Sequence, residues 1–221
     1  MGYTFQFGTV LSEWPQFLQG AWMTIRLSAI AMVFGLAVGI VCALARSYGP
    51  KPLAWLAAIY VEFIRNTPFL IQLYFVFFAL PSLGVRLSPT TAAAVAMIIN
   101  LGAYSTEIVR AGLEAVPIGQ IEAGRSLGLK RLQIIRFIIL LPAIQAVYPA
   151  LCSQFILVLL GSSIVSAIAA EELTAFANTL NSQTFRSFEI YTIVTVLYIA
   201  MAFGFRAIFA GIHAYLFARR E

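Results

Sequence analysis

The chain has 221 residues, of which 61% are hydrophobic and only 10% charged, and it carries a net charge of +5. A soluble domain carries about 25% charged residues, so a water-soluble globule is excluded and a polytopic membrane protein is expected. The basic excess does not imply nucleic acid, because the positive-inside rule already places lysine and arginine in the loops between spans.

A membrane helix needs about 20 largely apolar residues. The opening stretch, MGYTFQFGTVLSEWPQFLQG, lacks the basic start of a secretory leader, and the apolar run after it is too long for one, so no cleaved signal is expected. The first span is predicted over Leu27 to Ala45, after a turn around Trp22 to Arg26 and before a basic exit at Arg46. Ala31, Gly35, Gly39 and Ala43 form a row at four-residue spacing, which lets helices approach closely in lipid. SYGPKP then makes a short basic turn, and residues 52–66 read as an interfacial helix on which Glu62 and Arg65 can pair at i, i+3.

Pro68 breaks the helix, and a second span follows over Thr67 to Leu83 with an aromatic row of Phe69, Tyr74, Phe75, Phe77 and Phe78. Pro81 to Pro89 is a turn-rich loop. The third span, Thr90 to Ile108, contains Asn100, Tyr104 and Glu107 at i, i+4 and i+7, with Arg110 placed to pair with Glu107. Polar groups within a span usually face the bundle interior and mark a pathway.

The interval from Pro117 to Pro142, PIGQIEAGRSLGLKRLQIIRFIILLP, is the longest polar and basic stretch, with Arg125, Lys130, Arg131 and Arg136 against one acid, Glu122. The fourth apolar block, Ile138 to Ala170, exceeds one perpendicular span. Its Pro142, Pro149, Gly161, Ser162 and Ser163 suggest a kinked or broken helix with an outer re-entrant piece. Gln154 and Ser163 fall at a depth similar to the polar residues of the third span. A polar outer segment runs from Glu171 to Glu189, and the last span is predicted over Ile190 to Phe209, followed by a tail from His213 to Arg220. Cys42 and Cys152 lie within apolar runs without CxxC spacing, and His213 is the only histidine, so neither a disulfide nor a metal site is expected.

Five spans put the termini on opposite sides. Placing the loop around 110–137 inside gathers Arg46, Lys51, Arg65, Arg219 and Arg220 there, and leaves outside Arg26, Arg86 and Arg186, balanced by Glu13, Glu171, Glu172 and Glu189. The N-terminus is therefore assigned to the outer, periplasmic side and the C-terminus to the cytoplasm.

Within the basic loop, Glu122–Ala123–Gly124, three further residues and then Gly128, followed by an apolar helix start through Leu140 and Pro142, resembles the EAA loop of bacterial ABC-importer permeases. VEFIRNTPFLIQLYFVFFALP resembles the second-span signature of the polar amino acid subfamily, and AAVAMIINLGAYSTEIVRAGLEAVPIGQIEAGRSLGL is similar to it through the third span into the loop. The resemblance covers Phe17 to Tyr215. Three departures stand out: Gly124 for the second alanine of the triplet, which loosens a helix by about 1 kcal/mol, Leu141 for the expected proline, and Asn66 for glycine.

The resemblance implies an all-α membrane protein of the type I ABC-importer permease fold, with about five transmembrane helices and a single permease domain spanning 1–221. It implies that Glu122, Ala123, Gly124 and Gly128, in a coupling loop at about 115–137, seat on a separate ABC ATPase subunit that binds the ATP, so no cofactor is expected in this chain. The small residues let that partner come close, Glu122 offers it a charge, Ile118 and Ile121 offer apolar contact, and Gly128 can end the coupling helix. A second permease chain (homo- or heterodimer), a periplasmic solute-binding protein, membrane lipid and a small-molecule substrate are the other expected partners. The chain has no GxxxxGK[ST] stretch with which to bind nucleotide phosphates itself. Asn100, Tyr104, Glu107, Gln154 and Ser163 are the substrate-pathway candidates. The alternative is an ion-coupled secondary transporter, which usually shows two related halves; none is visible here.

Overall fold

The computed structural model describes residues 4–217, so Arg219 and Arg220 lie outside the described residues. After a short α1 (Phe7–Leu11), α2 runs unbroken over Trp14–Tyr48. The turn expected around Trp22 to Arg26 is absent, because the polar-containing first half of α2 has its own packing partner. Gly20 lies against the Leu173 backbone, where a Cβ would come within 2.9 Å of Leu173 Cα, and the Phe17 ring meets Phe176 edge-on.

α3 (Lys51–Arg65) is bent by 110° from the following helical run, Phe69–Leu83. It takes the place of the expected interfacial helix and is pinned to the third span by the Tyr60 hydroxyl, which donates to the Ile99 carbonyl at 2.6 Å. Glu62 and Arg65 do not pair. Glu62 instead accepts from Asn66 Nδ2 at 3.0 Å, and that amide also caps the Glu62 carbonyl at 2.8 Å. Asn66, at the end of α3, thus has a capping use that glycine could not supply.

The second span begins as α4 (Phe69–Tyr74), widens to a π-helical turn over Phe75–Ala79 and ends in a tight turn at Leu80–Leu83. α5 (Pro89–Glu114) is capped by Ser88, whose hydroxyl accepts the Thr91 N–H. It extends further inward than predicted and forms the centre of the bundle. α2 lies along it through the small-residue row: a Cβ on Gly35 would sit 2.9 Å from Leu101, and one on Gly39 would strike Ser105.

After α6 (Ile118–Ser126), the fourth span is continuous from Arg131 to Ile168. It comprises α7 (Arg131–Ile134), a π-helical turn at Ile135–Ile139, α8 (Leu140–Gly161) and a tight final turn at Ser162–Ile168. The expected break is not there, and the span starts well before Ile138. A proline crowds the carbonyl four residues earlier and cannot bond to it. For Pro142 and for Pro81 that carbonyl belongs to a π-helical turn, where the widened backbone admits the ring without breaking the helix.

α9 (Leu173–Thr184) then lies on the outer end of α2, and α10 (Ser187–Phe217) is the last span. Glu172 caps α9 and ties three helices together. Its carboxylate accepts the Ala175 N–H at 2.7 Å and the Tyr198 hydroxyl at 2.8 Å, while Thr24 Oγ1, which also reaches it, accepts the Leu173 N–H. Burial pushes this carboxyl above its ordinary range, against the lowering effect of those hydrogen bonds. Among the described residues, four helices are long and apolar enough to cross a membrane, and the number is five when the bent pair Lys51–Arg65 and Phe69–Leu83 is counted as one broken span.

Candidate coupling helix and substrate cavity

α6 is a short helix whose two faces do different work. Gly124 is buried: a Cβ there would strike the Ile138 δ-methyl and lie 3.4 Å from Ile134. The space that the usual alanine methyl would take is thus filled from the next span, so the departure at Gly124 is matched by packing rather than left as a weakness. Ile121 turns the same way, into a cluster of Val116, Ile134, Ile139 and Ala143. Gly124 and Ile121 are therefore held within the chain and do not offer a partner the surface expected of them.

The other face is open. Ile118 is 72% and Leu127 80% exposed, and Glu122 and Ala123 are exposed between them. Gly128 ends the helix with φ +72°, a left-handed conformation that costs an L side chain roughly 1–2 kcal/mol. The Gly128 N–H bonds to the Arg125 carbonyl at 2.9 Å and the Leu129 N–H to that of Gly124 at 3.1 Å, the two bonds of a Schellman stop. Two residues on, the Gln133 side chain caps the Lys130 N–H at 2.8 Å and starts the fourth span. α6 is thereby fixed to the inner ends of α5 and the fourth span, leaving uncovered a surface that carries apolar side chains together with Glu122 and Arg125.

A cavity of about 340 Å³ opens between the α3–α4 break, α5 and α8. Asn100, Tyr104 and Gln154 line it together with Thr67, Leu157 and Gly161. Ser163 and Glu107 do not. The Ser163 hydroxyl donates to the Leu160 carbonyl at 2.9 Å. Glu107 lies toward the inner end, paired with Arg46 and with Arg110 at 2.9 Å, and Arg65 stands 4.0 Å away. It joins the inner ends of α2, α3 and α5.

Sequence reasoning misses Gln72, hidden in an aromatic run, yet this residue orients the cavity. Its Nε2 donates to the carbonyls of Ile64 at 2.7 Å and Thr67 at 3.0 Å, and to Thr67 Oγ1 at 2.9 Å. Carbonyls only accept, which fixes the amide. Gln72 Oε1 must then accept from Asn100 Nδ2, at 2.9 Å, and the Asn100 carbonyl oxygen is left for the cavity. Backbone groups freed at the Pro68 break are satisfied by the residue that aims Asn100. The signal is present in the sequence: a buried amide within an apolar span needs partners. The Arg65 guanidinium lies 5.5 Å from the centre of the Tyr104 ring, on which it stacks.

Residues 35–221 match the family described as "Binding-protein-dependent transport system inner membrane component". The chain belongs to that family. The Escherichia coli K12 glutamine transport system permease protein GlnP is 34% identical over 197 residues, 88% of this chain and 90% of that one. The Bacillus subtilis L-cystine transport system permease protein TcyB is 34% identical over 192 residues, covering 87% and 80%. A crystal structure described as an amino acid ABC transporter with histidines superposes with TM-score 0.89 at 36% identity, covering 97% of this chain and 100% of that one. An inward-facing MetNI methionine ABC transporter shares the fold, with TM-score 0.71 at 22% identity over 89% and 94%. The permease is a multi-pass protein of the bacterial inner membrane that works with ATPase subunits, and its fold is that of type I ABC importers.

Proposed function

We propose that this permease carries a polar amino acid inward, receiving it from a periplasmic solute-binding protein and drawing its energy from ATP bound and hydrolysed by a separate subunit docked on α6. The observation that carries this reading is the two-sided coupling helix: one face is locked to the spans, and the other is uncovered, with apolar side chains beside Glu122 and Arg125. A helix so held transmits a partner's movement as a rigid body, which is how a ligand favouring one state switches a pathway. Two permease chains would frame the pathway, with Asn100, Tyr104 and Gln154 meeting the substrate. The glutamine and cystine permeases among the relatives support a polar amino acid.

Asn100→Leu and Gln154→Leu test the cavity. Each removes a hydrogen bond to a charged or polar substrate, worth about 1.5–3 kcal/mol, so transport efficiency (kcat/KM) in reconstituted vesicles should fall about 10- to 100-fold. Ser163→Ala, outside the cavity, should stay near wild type. Equal, near-wild-type uptake by all three would remove the cavity from the pathway.

A further inference from the structure

We propose that Arg206 binds the substrate carboxylate in the translocation pathway, an inference that rests on the permease reading and adds a residue to it. Arg206 sits in α10 about 28 Å along the axis from Ser187 and about 16 Å from Phe217 at 1.5 Å per residue. It faces the middle of the fourth span, lining one hollow with Cys152 and another with Leu160. A guanidinium at that depth is costly in lipid and belongs beside water or an anion. It is exposed, its guanidinium lies 5.8 Å from the centre of the Phe203 ring, and among the described residues it has no carboxylate partner.

The acids of the chain narrow the source of that anion. All nine are glutamates. Glu107, toward the inner end of α5, is already held by Arg46 and Arg110. The other described glutamates lie in the outer segments, on α3, at the inner end of α5 beside Arg110, or on α6. Among the described residues, therefore, no acid of this chain comes to Arg206. A substrate carboxylate does, and the planar guanidinium can grip it through two parallel hydrogen bonds.

The hollow beside Arg206, about 660 Å³ between α8 and α10, includes Tyr148, Ser153, Leu157 and His213. Leu157 also lines the Asn100 cavity, so the two hollows flank one side of α8. That side is exposed at Ser153, Leu157, Leu160 and Ile164, spaced as a single helical face. A zwitterion moving over this face has a cation for its carboxylate on one flank. On the other are uncharged acceptors, including the Asn100 carbonyl oxygen, for its ammonium group.

The test places Arg206→Cys in a Cys42→Ser/Cys152→Ser background of the whole reconstituted importer, probed with a membrane-impermeant anionic methanethiosulfonate. Arg206→Met and Arg206→Lys are assayed beside it for uptake of radiolabelled L-glutamine with L-glutaminamide as competitor. The expected result is that the anionic reagent labels the Arg206→Cys protein and leaves its cysteine-free parent unlabelled. Arg206→Met should lower uptake at least tenfold and lose the preference for the carboxylate over the carboxamide, and Arg206→Lys should retain that preference. Labelling by a membrane-permeant maleimide alone would put the position against lipid and overturn the proposal. Wild-type uptake and preference in Arg206→Met would do the same. In either case a loss of uptake in Asn100→Leu would leave the permease reading intact.

Discussion

Glu122→Lys combined with Ala123→Arg should strip the ATPase from the purified permease and abolish ATP-driven uptake, without unfolding the chain. Both residues are exposed on the outer face of α6, and neither is in the cluster that anchors the helix. A charge reversal beside a bulky cation, on the open face between Ile118 and Leu127, should cost at least about 2 kcal/mol of association with an ATPase docked there, roughly a 30-fold weakening. Gly128→Trp would be a poorer test, because at φ +72° it strains the stop of α6 whether or not a partner docks there. Co-purification and thermal unfolding, measured together, separate the outcomes. An unchanged melting temperature with lost ATPase supports docking on α6, whereas retained ATPase and retained uptake would remove it.

The second large effect is expected at the inner end of the bundle. Glu107→Ala leaves Arg46 without its anion, leaves Arg110 with Glu114 alone at 2.6 Å, and withdraws the carboxylate nearest Arg65. Breaking a fully buried pair costs about 3–5 kcal/mol. Glu107 and Arg46 are each 21% exposed and Arg110 30%, so solvent screening lowers the figure to about 2–3 kcal/mol. For a chain of this length that corresponds to a melting-temperature drop of about 5–10 °C. Glu107→Gln keeps the shape but not the charge and should lie close to Glu107→Ala. A variant as stable as wild type would show that Arg110 is satisfied by Glu114, and Arg46 and Arg65 by water or lipid phosphate.

Much of this architecture was legible because lipid allows few choices. Apolar runs of the right length had to be helices, Pro68 had to bend the chain, and the Ala31–Gly35–Gly39–Ala43 row had to be a close contact. What the residues did not disclose was mostly tertiary. The polar first half of α2 looked like a turn because its helical partner, α9, lies about 150 residues away in sequence. The fourth span looked breakable because a π-helical turn, which has no sequence signature of its own, absorbs Pro142. At the candidate site, the residue types on α6 pointed to a partner, but only the packing showed that Gly124 and Ile121 face Ile138 and Ile134 while Ile118 and Leu127 remain open. Glu107 shared a helical stripe with Asn100 and Tyr104, yet the arginines from α2 and α3 claim it for the inner end. Gln72 and Arg206 were each a single polar residue in an apolar run, a signal easily lost among aromatic neighbours.

The central claim is that transport by this permease is driven by an ATPase docked on α6. It is tested most directly by uptake of radiolabelled L-glutamine and L-cystine into proteoliposomes holding the permease, its ATPase and the solute-binding protein, with ATP enclosed or omitted. Uptake that requires ATP and vanishes with Glu122→Lys/Ala123→Arg is the predicted result. Uptake by the permease alone, driven by a proton or sodium gradient and indifferent to both, would contradict it.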